Sequence, residues 1–131
     1  MTACTYPGIN IQFPISALIL DGEKSIETRT YPLPKKYIRK WMVIIETPGK
    51  QGDFTARLVG LIQFDASFMY KNEAEFSEDY SKHRVSRASP WKWQKGKSKW
   101  GWPILSFKKF QKSLPAPKNK GIKYTATIEV L

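Results

Sequence analysis

The chain has 131 residues, a length for one domain, and 41% of them are apolar, which suits a buried core and excludes a disordered chain. Twenty-two Lys/Arg against eleven Asp/Glu leave a formal charge of +11, so the natural partners are polyanions. A single cysteine, Cys4, and a single histidine, His83, exclude an intrachain disulfide and Cys/His zinc motifs, and no apolar run approaches the ~18–20 residues that span a bilayer.

Residues 9–13 read as a first strand. Residues 13–21 read as a short apolar helix, with Pro14 suited to its first position and Gly22 to its left-handed stop. Residues 25–31 alternate and read as a strand. Tyr31-Pro-Leu-Pro34 is a stiff extended connection, because each proline biases its predecessor away from helix. Residues 35–40 form a helical turn carrying Lys35, Lys36, Arg39 and Lys40. Residues 41–47 are the clearest buried strand, with Met42, Val43, Ile44 and Ile45 in sequence, and 48–52 is a turn on composition. Residues 57–64 are a further strand, and 73–79 an acidic, exposed helix. Residues 81–99 lack apolar periodicity and read as a basic loop, with His83 exposed in it. Residues 104–110 are a strand, 113–121 a Pro/Lys-rich connector, and 124–131 a final strand. About six short strands and two or three short helices make an α+β, mainly-β single domain built as a small barrel.

The charge is unevenly spread. Residues 1–80 hold nine Lys/Arg and ten Asp/Glu, net −1, whereas residues 81–131 hold thirteen Lys/Arg and one Glu, net +12. Within the basic part, Trp91, Trp93, Trp100 and Trp102 alternate with Lys92, Lys95, Lys97 and Lys99. Flat rings among cations suit base stacking combined with phosphate attraction, so RNA or another single-stranded nucleic acid is the expected partner, against the plainer reading of a solvated basic surface. Trp102 leads into a strand and is expected in the core, whereas Trp91 and Trp93 sit in a polar context and are expected outside it. Lys108, Lys109, Lys112, Lys118, Lys120 and Lys123 extend the basic surface. Lys108 and Lys109 are consecutive, so at most one of them faces the core.

The densest charge cluster is Gly22-Glu-Lys24-Ser-Ile-Glu27-Thr-Arg29, where a helix hands over to a strand. Glu27 and Arg29 are two apart and share a strand face, with Lys24 at the turn able to reach them. Two readings stand side by side: an ion-pair cluster that fixes the corner, and a polar triad lining a cleft, with the cations for phosphate and Glu27 for a base edge or a proton. Glu46 ends an apolar strand and needs a partner. It is either a rim ion pair, with Arg29 as a candidate, or a ligand-facing acid.

The spacing Gly22-x-Lys24-x-x-Glu27-x-Arg29 resembles the signature of the ASCH domain, a relative of the PUA domain of RNA-modifying proteins. Ile45-Glu-Thr-Pro-Gly-Lys50 resembles the family's second central strand and its exit turn, and Trp100-Gly-Trp102 with the strand that follows resembles a late barrel strand. The resemblance implies a PUA-like barrel across the whole chain, with the Lys24 corner lining a ligand cleft. It implies RNA or nucleotide binding through Lys24, Glu27, Arg29, Tyr31 and Lys50, with Trp91, Trp93, Lys95, Lys97 and Trp100 from the basic loop. A ring cage for a modified nucleotide, as in the related YTH fold, is a sharper version. Some ASCH-type proteins are amidohydrolases of acetylated cytidine, using the signature Lys, a Thr where this chain has Glu27, and a later Glu that Glu46 matches. Thr28 is next to the Thr position but would face the other way on a strand. Another branch is ribonuclease, for which Lys24, Glu27 and Tyr31 or Lys50 would supply the groups. A third branch serves as adaptors in transcription coactivators, which here would meet an acidic protein. No cofactor is implied. The free thiol and the absence of a basic leader before an apolar stretch point to an intracellular protein, cytoplasmic or, in a eukaryote, nuclear.

Overall fold

The computed structural model of the chain describes residues 4–50, 52–116 and 124–130. Its elements run β1 (Cys4–Gln12), α1 (Ile15–Leu20), β2 (Ile26–Arg29), a 3-10 turn (Lys35–Tyr37), β3 (Met42–Thr47), β4 (Arg57–Phe64), β5 (Phe68–Met69), α2 (Glu73–Glu78), α3 (Tyr80–His83), β6 (Trp100–Pro115) and β7 (Tyr124–Val130). The strands form one curled sheet in the order β2-β6-β4-β3-β1-β7, with the two-residue β5 also pairing β6. It is a half-barrel with three short α-helices, the mainly-β α+β architecture read from the sequence.

β3 explains the unbroken apolar run. Met42 and Ile44 face one core with Ile9, Ile11, Ile19, Ile62, Phe64 and Trp102. Val43 and Ile45 face a second cluster with Leu58 and Leu61. A strand covered on both faces needs no polar alternation. Burying each such side chain contributes about 1.5–3 kcal/mol. Trp102 is fully buried, as expected.

α1 stops as its sequence requires. Gly22 adopts φ +80, and Gly22 N and Glu23 N donate to Ile19 O and Leu18 O. These are the two hydrogen bonds of a glycine-terminated helix end. Pro14 precedes the first helical residue instead of occupying it, and its carbonyl accepts from Ala17 N and Leu18 N.

Several features differ from the sequence reading, among them α3, at the start of the supposed basic loop, and the two-residue β5, where no strand was read. β1 begins at Cys4 and pairs β3 in parallel and β7 antiparallel, so it is longer than residues 9–13. β6 runs sixteen residues, absorbing 100–103 and the first part of the supposed connector. Its second half pairs β4 while its outward residues, Leu105, Phe107, Lys108 and Lys109, stay exposed, which hides the strand pattern. His83 is fully buried, packed among Tyr70, Phe76 and Tyr80. Phe76 is buried too, so α2 has an inner face. Lys118, Lys120 and Lys123 lie outside the described residues. Among the described residues, no helix is long and apolar enough to cross a membrane.

Candidate functional site

The corner after α1 brings the charges together. Gly22 turns the chain, Lys24 N is held by Leu18 O, and β2 pairs Glu27 with Trp102 of β6. Lys24 is 3% exposed and Glu27 6%. The Lys24 ammonium donates to the His83 carbonyl and lies 3.5 Å from Glu27 Oε1. Glu27 Oε2 accepts from Arg29 Nε at 3.1 Å and Nη2 at 2.9 Å. Arg29 also donates to Tyr31 Oη at 3.1 Å and to the Asn10 carbonyl at 2.9 Å, and its guanidinium sits 5.4 Å from the Trp102 ring centroid. Arg29 therefore ties β2 to the end of β1, and Trp102 Nε1 in turn donates to Tyr31 O.

The triad is two cations around one anion, removed from water. Burial lowers the Lys24 pKa; Glu27 pulls against that shift and Arg29 adds to it. Burial also works against the Arg29 charge, but Glu27 and Tyr31 outweigh it, and the Arg29 pKa is raised.

Above the triad is a cavity of about 230 Å³. Ile11, Ile15, Leu18 and Val85 give it apolar walls, and Asn10, Gln12, Thr28, Thr47 and Ser89 give it neutral polar groups. The remaining wall is the segment after α3. Arg84 ends that helix in the left-handed conformation at φ 62 and lines the cavity, as does Trp91, which is 48% exposed. Lys99 fixes this wall: it is 7% exposed and its ammonium donates to Trp91 O at 2.8 Å. Burial lowers the Lys99 pKa, with Glu27 opposing.

His83 also borders the cavity. Its Nδ1 accepts from Val85 N at 2.9 Å, so Nε2 carries the proton donated to Phe76 O at 2.7 Å. The ring stacks on Phe76 at 4.1 Å, and burial lowers its pKa. Both nitrogens are engaged with backbone groups of the surrounding segment.

Of the residues singled out in the sequence, Lys24, Glu27, Arg29 and Trp91 meet at this cavity. Tyr31 stands behind Arg29. Lys50 and Lys95 are exposed elsewhere, Trp93 packs 5.9 Å from Phe76 in another groove, Lys97 lines a small groove on the far side of Trp91, and Trp100 packs on the core. Glu46 is buried, but its partners are Ser16 Oγ and, at 2.8 Å, Arg57 Nε. Arg57 is its neighbour across the β3–β4 register, and the pair lines a different groove; Arg29 is not its partner. Thr28, expected to point away, contributes to the cavity. Asn10, Gln12 and Thr47 were not singled out, although the alternation Asn10-Ile11-Gln12 marks a strand end with one polar face. Among the described residues, no three His, Cys, Asp or Glu side chains gather as a metal site.

Solved structures share this fold. The crystal structure of ASCH from Zymomonas mobilis matches at a TM-score of 0.61 and 14% identity, over 79% of this chain and 68% of that one. This chain has an ASCH-like fold. Two mutants of the same Zymomonas mobilis protein match with the same TM-score and identity, over 79% and 80% of this chain and 70% of theirs. No family model and no curated protein matches the sequence. The ASCH-like likeness carries the PUA-like barrel expectation and, at this identity, the fold alone.

Proposed function

We propose that this ASCH-like domain is an intracellular module that binds single-stranded RNA or a nucleotide in the cavity over Lys24, Glu27 and Arg29. The observation that carries this reading is Trp91. It is a half-exposed ring, latched by Lys99, at a cavity floored by a buried ion triad. A base stacked on such a ring gains about 1–3 kcal/mol. Glu27 offers acceptors to a base edge, Arg84 offers charge to a phosphate, and the +12 of residues 81–131 supplies the attracting field. Fluorescence-polarisation titration with single-stranded RNA at two salt concentrations tests it. Affinity should fall steeply with salt and drop with Trp91→Ala; binding that ignores both changes refutes it.

A hydrolase is the second reading, favoured by a buried lysine of lowered pKa beside a carboxylate in a cavity. Glu27 and Lys24 would serve as base and acid on RNA or a modified nucleoside. Glu46, engaged outside the cavity, lends no support to the acetylated-cytidine pattern. Turnover of RNA or acetylated nucleosides that is abolished by Lys24→Met and by Glu27→Gln is the expected signature; turnover surviving either change rules out these roles.

A further inference from the structure

A second surface combines rings and cations at the opposite end of the β1–β3 pair. The 3-10 turn and the starts of the two strands enclose an open groove of about 540 Å³, lined by Tyr6, Pro7, Lys36, Tyr37, Lys40 and Trp41. The three rings are anchored from beneath: Tyr6 and Trp41 pack on the Val43 cluster, and Tyr37 on the main core. Each ring is partly exposed, which makes a platform of fixed flat faces. Lys36 lies 5.1 Å from the Tyr37 centroid. Of the four cations in this turn, Arg39 is paired with Asp65, whereas among the described residues no carboxylate pairs with Lys35, Lys36 or Lys40. Among the described residues, none lines the groove either. This local excess of cations lies within residues 1–80, whose charges sum to −1.

We propose that this groove is a second contact for single-stranded RNA, stacking bases on its rings and pairing phosphates with Lys36 and Lys40. The inference rests on the cavity reading for the identity of the ligand, and extends it along the strand. Trp41 and Tyr6 stand where β3 and β1 begin, while Thr47 and Gln12, which line the cavity, stand where they end. Six residues of strand separate the two sites by about 20 Å. A stacked strand at about 3.4 Å per nucleotide covers that distance in about six nucleotides. Half-buried flat rings fit bases better than a membrane, whose interface is entered by protruding apolar side chains.

The test uses RNAs of about three and about twelve nucleotides, the first able to fill only one site and the second to reach both. Lys36 and Lys40 are exposed, so the charge-reversed double variant K36E/K40E should melt like the parent. We expect it to weaken the long RNA about tenfold and leave the short one within about twofold. The slope of log affinity against log salt should flatten by about 1.4, the value for two lost phosphate contacts on a single strand. Trp91→Ala should weaken both RNAs. A long-RNA affinity unchanged by K36E/K40E overturns the groove. So does a K36E/K40E defect confined to anionic vesicles or an acidic peptide. If Trp91→Ala spares both RNAs while K36E/K40E weakens the long one, the cavity reading fails and the groove stands.

Discussion

Replacing Glu27 with alanine should be among the most damaging single changes to this corner. Glu27 is 6% exposed and is the counterion of Lys24, at 3.5 Å, and of Arg29, at 2.9 Å. Its loss leaves two cations, one buried and one mostly buried, without their carboxylate, and breaking a buried pair in this way costs about 3–5 kcal/mol. On a domain of this size that lowers the melting temperature by roughly 10–20 °C. The deficit should depend on pH. The Lys24 pKa is already lowered by burial in the parent, and losing Glu27 removes the interaction opposing that shift. The unfolded chain then binds more protons than the folded one below the ordinary lysine value of 10.5, so stability rises with pH on approaching it. Urea denaturation at neutral pH and near pH 9.5 should show the variant partly recovering. The control is Lys82→Ala, which removes an ion pair at 4.0 Å whose lysine is 59% exposed and should cost under about 1 kcal/mol. A Glu27→Ala loss as small as the control would refute the reasoning, because the triad would then be solvated.

The single histidine gives a clean probe. Burial lowers the His83 pKa, so the unfolded chain takes up its proton first and stability should decline as pH falls below about 6.5; NMR should place the His83 titration below that value, and His83→Phe should flatten the decline between about pH 6.5 and 5. Lys99→Met keeps the buried stem but loses the hydrogen bond to Trp91 O, so acrylamide should quench Trp91 more readily and nucleotide affinity should fall a few-fold, with the melting temperature the check on folding. Gly60→Ala would set a Cβ 2.5 Å from the Lys108 backbone oxygen, and since a strand carbonyl cannot move aside as a flexible side chain would, thermal melting should show a loss of about 1–3 kcal/mol.

The elements most legible in the sequence are those whose partners impose a simple pattern. β4 is read to its ends because its buried residues bracket it cleanly, and β3 because both faces are covered. The α1 stop is written in Gly22 itself. β6 is not legible as a whole, since its second half is held by β4 through the backbone while Lys108 and Lys109 face outward. The same limit applies to the site. Lys24, Glu27 and Arg29 are local and could be grouped by spacing, but the carbonyl that receives Lys24 lies 59 positions away. His83 looks exposed among basic residues because the rings that enclose it come from Tyr70, Phe76 and Tyr80, which the chain folds back around it. Arg57 could have been found as the Glu46 partner, because β3 and β4 are consecutive strands that pair antiparallel, which places the end of one opposite the start of the next.

The pairing of β1 with β7 sets a timetable for biosynthesis. Residues Cys4 to Ile9 lie against Tyr124 to Val130, so one side of the first strand waits for more than a hundred further residues. At about 5–20 residues per second, that edge stays open for roughly 6–25 s on the ribosome. Its other side is served much sooner by β3. An unpaired strand edge invites other chains, and among the strand pairings of this sheet the β1–β7 pair waits longest for its second strand.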